Sequence, residues 1–261
     1  TVGPWVTRAV LVRPDGTVAE WTSRRHRKRL GLRIGPRRHD LRRPSPSSWV
    51  IGALFMIGSL CFAVGPLPAY ADAVSESTVA WTFFVGSVFF TSAAYLQYRE
   101  AITAPAGPDD DATVPFGLGR FVAWAPHRID WWAGSIQFVG TLFFNLTTYA
   151  ATRTALSVVQ ERRWIWAPDA LGSICFLAAS WLAYVEASAG ERGLRGRSTG
   201  WWISALNLVG SVAFGVSAVA ARYLHSTGEI ANVGVANLGT VVGAVCFFVG
   251  AALLPLESAR R

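Results

Sequence analysis

Three glutamates hold matched places in three apolar segments, and their spacing is the strongest hint of chemistry in the chain. "GSVFFTSAAYLQYRE" runs from Gly86 to Glu100, "GSICFLAASWLAYVE" from Gly172 to Glu186 and "GAVCFFVGAALLPLE" from Gly243 to Glu257, with fourteen residues from Gly to Glu each time. An acid in the last turn of a helix meets partial negative charge, so its own helix disfavours it. Three readings follow. Each Glu snorkels to water or pairs with an arginine such as Arg99 or Arg192. Alternatively, each accepts hydrogen bonds from the first turn of a neighbouring helix, near Ser48, Trp131 or Trp201. In the third reading the trio is an acidic ring that attracts cations. Charges near the ends of membrane helices are usually structural, so a clasp is the favoured expectation.

A second group of polar residues lies deeper. Asp169 follows Pro168 in "WIWAPDALGS", and the matching positions are Phe83 and Thr240. It suits a helix first turn, or an ion pair with Arg162 or Arg163, and otherwise it is a candidate ligand or proton site. Gln137 and Asn207 match each other and Phe55. Together with Asn145 and Asn237 they suit hydrogen bonds between helices, with a polar solute path as the minority reading.

Catalytic patterns are missing. His26, His39, His127 and His225 are scattered, and no HExxH, phosphate-loop or nucleophile-elbow motif occurs. Cys61, Cys175 and Cys246 stand inside apolar segments without a CxxC. They read as small buried apolar residues. The expectation is a protein that is not an enzyme, with no catalytic residue, cofactor or metal site.

The elements that must position these residues are membrane helices. Of 261 residues 52% are hydrophobic and 15% charged, against about 25% charged in soluble domains. Six candidate spans lie at about 48–70, 79–99, 130–151, 164–187, 201–223 and 232–256. With the N-terminus inside, the internal segments hold twenty basic residues and the outer loops three, so both termini are expected in the cytoplasm. The Arg bias, with much Ala and Gly, points to a bacterial cytoplasmic membrane. The outer Arg162-Arg163 pair is the one discordant feature.

The spans repeat. "WVIGALFMIGSLCF" from Trp49, "WAGSIQFVGTLFF" after Trp131 and "WISALNLVGSVAF" after Trp201 align without gaps. This register matches Gly58, Gly140 and Gly210, and then Phe62, Phe144 and Phe214. In the second helix of each pair Gly86, Gly172 and Gly243 match, as do Phe90, Phe176 and Phe247. Such glycines let helix backbones approach closely. The leading Trp residues, with Tyr98 and Tyr184, read as interfacial aromatics. The expected fold is all-α: six transmembrane helices as three repeated hairpins, packed as a pseudo-three-fold bundle or a linear array. Hairpin one is 48–100, hairpin two 130–187 and hairpin three 201–257. A cytoplasmic loop at 101–129 has an aromatic second half suited to an interfacial helix, 188–200 is a basic linker and 258–261 a short tail.

Paired "F-x-x-G-S-x-x-F" hairpins resemble the YrhK-like family of small bacterial membrane proteins, over roughly 48–257 and in up to three copies. Copy three departs, with Ala244 after its Gly and Pro255 where Tyr98 and Tyr184 stand. The resemblance implies a membrane hairpin fold and transfers no catalytic residues.

Residues 1–47 form a basic module with twelve of the 24 Lys and Arg residues. A β-hairpin is expected around Pro14-Asp15-Gly16. "RRPSPSSW" at 42–49 then offers an N-cap to the first span. The run Arg24, Arg25, Arg27, Lys28 and Arg29 is expected to contact anionic lipid or a protein partner rather than nucleic acid. An accessory or scaffolding subunit of a membrane complex is the leading functional expectation. A small channel or carrier with an acidic cytoplasmic mouth is the rival.

Overall fold

The computed structural model describes residues 3–12, 14–28, 32–34, 43–104, 121–153, 156–189, 197–224 and 227–259, with backbone alone at His26, Arg33 and Ile34. The N-terminal module opens with strands β1 (Arg8–Val12) and β2 (Val18–Thr22). They pair antiparallel across the expected turn, where Gly16 takes a left-handed φ of 79° that favours glycine. Asp15 ties the turn by accepting from the Thr17 backbone N–H at 2.9 Å. Helix α1 (Ser23–Arg27) follows β2 directly, and β3 (Arg33–Ile34) adds to the far edge of β2.

Long helices come next. Helix α2 (Pro46–Val64) starts on the Ser45 cap with Pro46 in its first turn. It stops at Gly65-Pro66, short of the expected residue 70, and a single turn, α3 (Pro68–Ala71), covers the gap. Helix α4 (Glu76–Ile102) is capped by Ser75 and α5 is Ile129–Ala151. A turn, α6 (Val158–Glu161), and a π-helical stretch at Arg162–Trp166 lead into α7 (Ala167–Ser188). Helix α8 (Thr199–Ala220) and α9 (Val233–Ala252) form the last pair, and α10 (Leu254–Ala259) continues from α9. The break at Leu253 follows from Pro255, which has no N–H to give and crowds the Ala251 carbonyl. Ala251 O faces Gly52, where a Cβ would stand 3.0 Å away, so α9 and α2 pack closely there.

Five segments are long and apolar enough to cross a membrane, the mark of a membrane protein: Pro46–Val64, Glu76–Ile102, Val158–Ser188, Thr199–Ala220 and Val233–Ala259. Their outward faces are apolar, with Leu60, Ile174, Val219 and Leu238 exposed. Helix α5 is not among the five. It carries Asp130, Gln137, Asn145 and several threonines, yet it packs between α4 and α7 over its length.

The six long helices close into a ring in the order α2, α4, α5, α7, α8, α9 and back to α2. The closed bundle, not the linear array, is the packing found. Two triangles of phenylalanine fill its axis. Phe62, Phe144 and Phe214 make one, with ring centroids 6.2–6.3 Å apart. Phe90, Phe176 and Phe247 make the other, at 5.5–6.3 Å. Each ring of one triangle meets one of the other at 5.1–5.7 Å, within the α2/α4, α5/α7 and α8/α9 pairs. Edge-on contacts dominate, the favoured geometry for quadrupolar rings.

The six glycines flank this prism. A Cβ on Gly58 would stand 2.9 Å from Gly86 O, one on Gly172 3.2 Å from Gly140 O, and one on Gly210 3.0 Å from Gly243 O. Each pair therefore brings two backbones to near contact, and the Phe ring of the facing helix occupies the remaining space. Hydroxyls bridge neighbouring pairs: Ser87 meets Thr148 at 2.9 Å, and Ser180 meets Ser211 at 2.8 Å.

Two sequence expectations are corrected here. Trp131 and Trp201 are buried rather than spread along an interface. Their indole N–H groups donate to Ala123 O at 2.7 Å and Ser188 Oγ at 3.1 Å. Tyr98 likewise is buried against Trp131, and Tyr184 lies 5.9 Å from the Trp201 ring. These aromatics seal the seams between neighbouring helix pairs; of the three matched leading tryptophans, Trp49 is the exposed one. Residues 121–128 are turn and extended chain, tied by Tyr98 to Ala123, and the rest of the 101–129 interfacial-helix expectation lies outside the described residues.

Candidate functional site

At one end of the ring, four acids and four bases meet. Glu100 ends α4, Glu186 ends α7, Glu257 stands in α10 and Asp130 starts α5. Helix α1 covers them. Residues 24, 27 and 28 are spaced i, i+3 and i+4, so they share one helix face, and Ser23 joins it one turn before Arg27. Thr7 O accepts from the Ser23 N–H at 3.0 Å, which fixes the helix against the sheet.

Each base on that face takes a different glutamate. Arg24 grips Glu257 with two bonds, Nε to Oε1 at 2.5 Å and a terminal amine to Oε2 at 3.1 Å. Bidentate pairing of this kind is the strongest arginine–carboxylate geometry. Its other amine reaches Ser204 Oγ at 3.1 Å. Arg27 lies between Glu186 at 3.4 Å and Asp130 at 3.3 Å. Lys28 meets Glu100 at 2.6 Å.

Hydroxyls and a third arginine complete the set. Ser23 Oγ donates to Glu186 at 2.5 Å, and Ser47 Oγ donates to Glu100 at 3.0 Å. Arg128 holds Asp130 through two bonds at 3.0 and 2.6 Å, and also donates to Ala104 O at 2.9 Å. Gly200 matters by what it lacks: a Cβ there would collide with Glu257 Oε1 and Arg24 Nε.

The cluster is nearly dry. The Glu186 and Asp130 side chains are 1% exposed, Glu257 10% and Glu100 16%. Burial alone would lower the Arg27 pKa. Glu186, Asp130, Glu100 and Glu257 around it outweigh that and hold it above its ordinary value. Arg27 therefore stays charged at every accessible pH.

The sequence-derived partners for the trio are thus replaced. Glu100 pairs with Lys28 and not with Arg99, whose guanidinium stacks over the Phe121 ring at 5.6 Å. Arg192 lies outside the described residues. At the start of α2 it is the Ser47 hydroxyl, not an orphan backbone N–H, that donates to Glu100. Arg25 falls off the α1 face, and its backbone N–H donates to Thr22 Oγ1 at 3.4 Å. Arg29 lies outside the described residues.

The deeper polar residues do not converge. Asp169 sits near the opposite end of α7, half-buried, without a hydrogen bond or ion pair among the described residues. Among the described residues no ion pair joins it to Arg163, which stacks on Trp164 instead. Gln137 is half-buried in α5. Asn207 Oδ1 is buried without a hydrogen-bond partner among the described residues, close to where a Gly250 Cβ would stand. Asn145 makes the expected interhelical bond, donating to Thr91 Oγ1 at 2.8 Å. Among the described residues no group of three or more His, Cys, Asp or Glu could hold a metal.

Sequence reasoning passed over Ser23, Arg128 and Asp130. An acid in a first turn is ordinary, so Asp130 gave no alarm. The i, i+3, i+4 spacing of Arg24, Arg27 and Lys28 was the available signal. The chain matches no family model, no curated protein and no solved structure.

Proposed function

We propose that this is a non-enzymatic polytopic protein of a bacterial cytoplasmic membrane, acting as an accessory or scaffolding subunit of a membrane complex. In this reading all six long helices span the bilayer, as three copies of one hairpin of YrhK-like character, with both termini cytoplasmic. Helix α5 is included because it runs from Asp130 in the charged cluster, past Phe144, to Thr147, which donates to Ile165 O near the opposite end. Asn145, Thr141 and Thr148 find hydrogen-bond acceptors within the ring, which makes spanning affordable.

The observation that carries the non-transport reading is the phenylalanine prism on the axis, with α1 closing the mouth above it. A channel needs a wet or polar path, and edge-packed rings offer none. The acidic trio is consumed by Arg24, Arg27 and Lys28 and does not face the cytoplasm as a free cation ring. The test pairs two measurements on the full chain. Gentle detergent extraction at native expression should recover a stable complex with a second membrane protein. Proteoliposomes of the purified chain, wild type and Glu186→Gln, should show no cation flux above empty liposomes. A lone monodisperse protein would remove the subunit reading, and flux abolished by Glu186→Gln would establish the rival carrier.

A further inference from the structure

A cavity of about 660 Å³ opens beside α1, between the start of α2 and the end of α4. Among the described residues four cations line it, Arg27, Lys28, Arg43 and Arg99, against one carboxylate, Glu100. Glu100 is already neutralised by Lys28 and takes a hydrogen bond from Ser47, and Arg27 is committed to Glu186 and Asp130. That leaves Arg43 and Arg99, for which no carboxylate partner stands among the described residues. Arg99 Nε is buried with no hydrogen-bond partner among the described residues, a cost a native protein rarely leaves standing. The wall changes character within a few ångströms, because Val50, Ile51 and Leu96 line the same cavity.

We propose that this cavity binds a phosphate group, with Arg99 and Arg43 as its principal ligands. Two guanidinium forks without a carboxylate partner among the described residues suit a tetrahedral oxyanion, which they grip with paired N–H donors; the stacking of Arg99 on Phe121 leaves its N–H edge available. Glu100 does not repel it, since that charge is already matched. The site lies at the helix ends, level with the headgroup region if the ring spans a bilayer, and the apolar wall then receives the start of an acyl chain. A phospholipid headgroup and a free phosphate share this chemistry. The site stands on its own charges and does not depend on the accessory-subunit reading.

Calorimetric titration of the full chain in a non-ionic detergent tests this in two arms. One uses dihexanoyl-phosphatidylglycerol below its micellar concentration, with dihexanoyl-phosphatidylcholine as the neutral-headgroup control; the other uses inorganic phosphate. The phosphatidylglycerol should bind, and Arg99→Gln with Arg43→Gln should weaken it about tenfold or more. Arg153→Gln at the opposite end should leave it unchanged. Binding of phosphate alone at similar strength, with the same loss in the double variant, assigns the site to a soluble anion. Arg43 is exposed, so Arg43→Gln alone keeps the fold and should still weaken binding. Absence of binding in both arms, or equal binding by wild type and both variants, overturns the proposal.

Discussion

The axis and the mouth of the bundle answer the same three-fold arrangement in opposite ways. On the axis, matched positions carry the same side chain, and six phenylalanines make near-equivalent contacts. At the mouth, matched positions also carry the same side chain, but one short helix must serve all three. Helix α1 has no symmetry, so Glu257 receives a bidentate arginine, Glu186 a shared one and Glu100 a lysine. Apolar packing can repeat because it is undirected. Ion pairing cannot repeat here, because its counter-charges come from a segment present once.

Three substitutions would break that contrast or sharpen it, in descending order of expected effect. Phe176→Ala removes a fully buried ring that touches both triangles, and should cost about 3–5 kcal/mol in reversible detergent unfolding. A loss below about 1 kcal/mol would mean the prism fills space without holding the ring together. Glu257→Gln should cost about 2–3 kcal/mol, since Arg24 has no other carboxylate among the described residues and stays mostly buried. Glu100→Gln should cost about 1 kcal/mol, because Glu100 is the most exposed of the trio. Equal losses at Glu257 and Glu100 would show that α1 treats the three acids alike, and the contrast would fall. Far from both regions, Arg153→Gln should stay within about 0.5 kcal/mol, as its Tyr149 contact is exposed.

Much of the bundle was legible in the sequence because lipid imposes long apolar runs and close packing imposes glycines. The Ser45-Pro46 helix start and the Gly16 turn were readable for local reasons, a cap and a left-handed φ. The odd position of Glu100, Glu186 and Glu257 was readable too, from their conflict with their own helix ends. Their partners were not. Arg24, Arg27 and Lys28 lie 233, 159 and 72 residues from the acids they meet, and a basic run ahead of a membrane helix resembles a lipid anchor in any one sequence. The burial of Trp131 and Trp201 was hidden for a related reason. An amphipathic ring at a helix end suits a bilayer surface or a seam between helices, and only the packing order chooses.

The clasp also sets a schedule for assembly. Arg24 precedes its acid by 233 residues, so α1 is made long before the partner it grips. Until α10 emerges, α1 can hold Glu100 and Glu186 but not the grip that is bidentate. Closure of the mouth then reports that synthesis has run through all three helix pairs. A chain stopped before Glu257 should leave the α1 arginines open to protease, while the complete chain protects them; equal cleavage of both would refute this order.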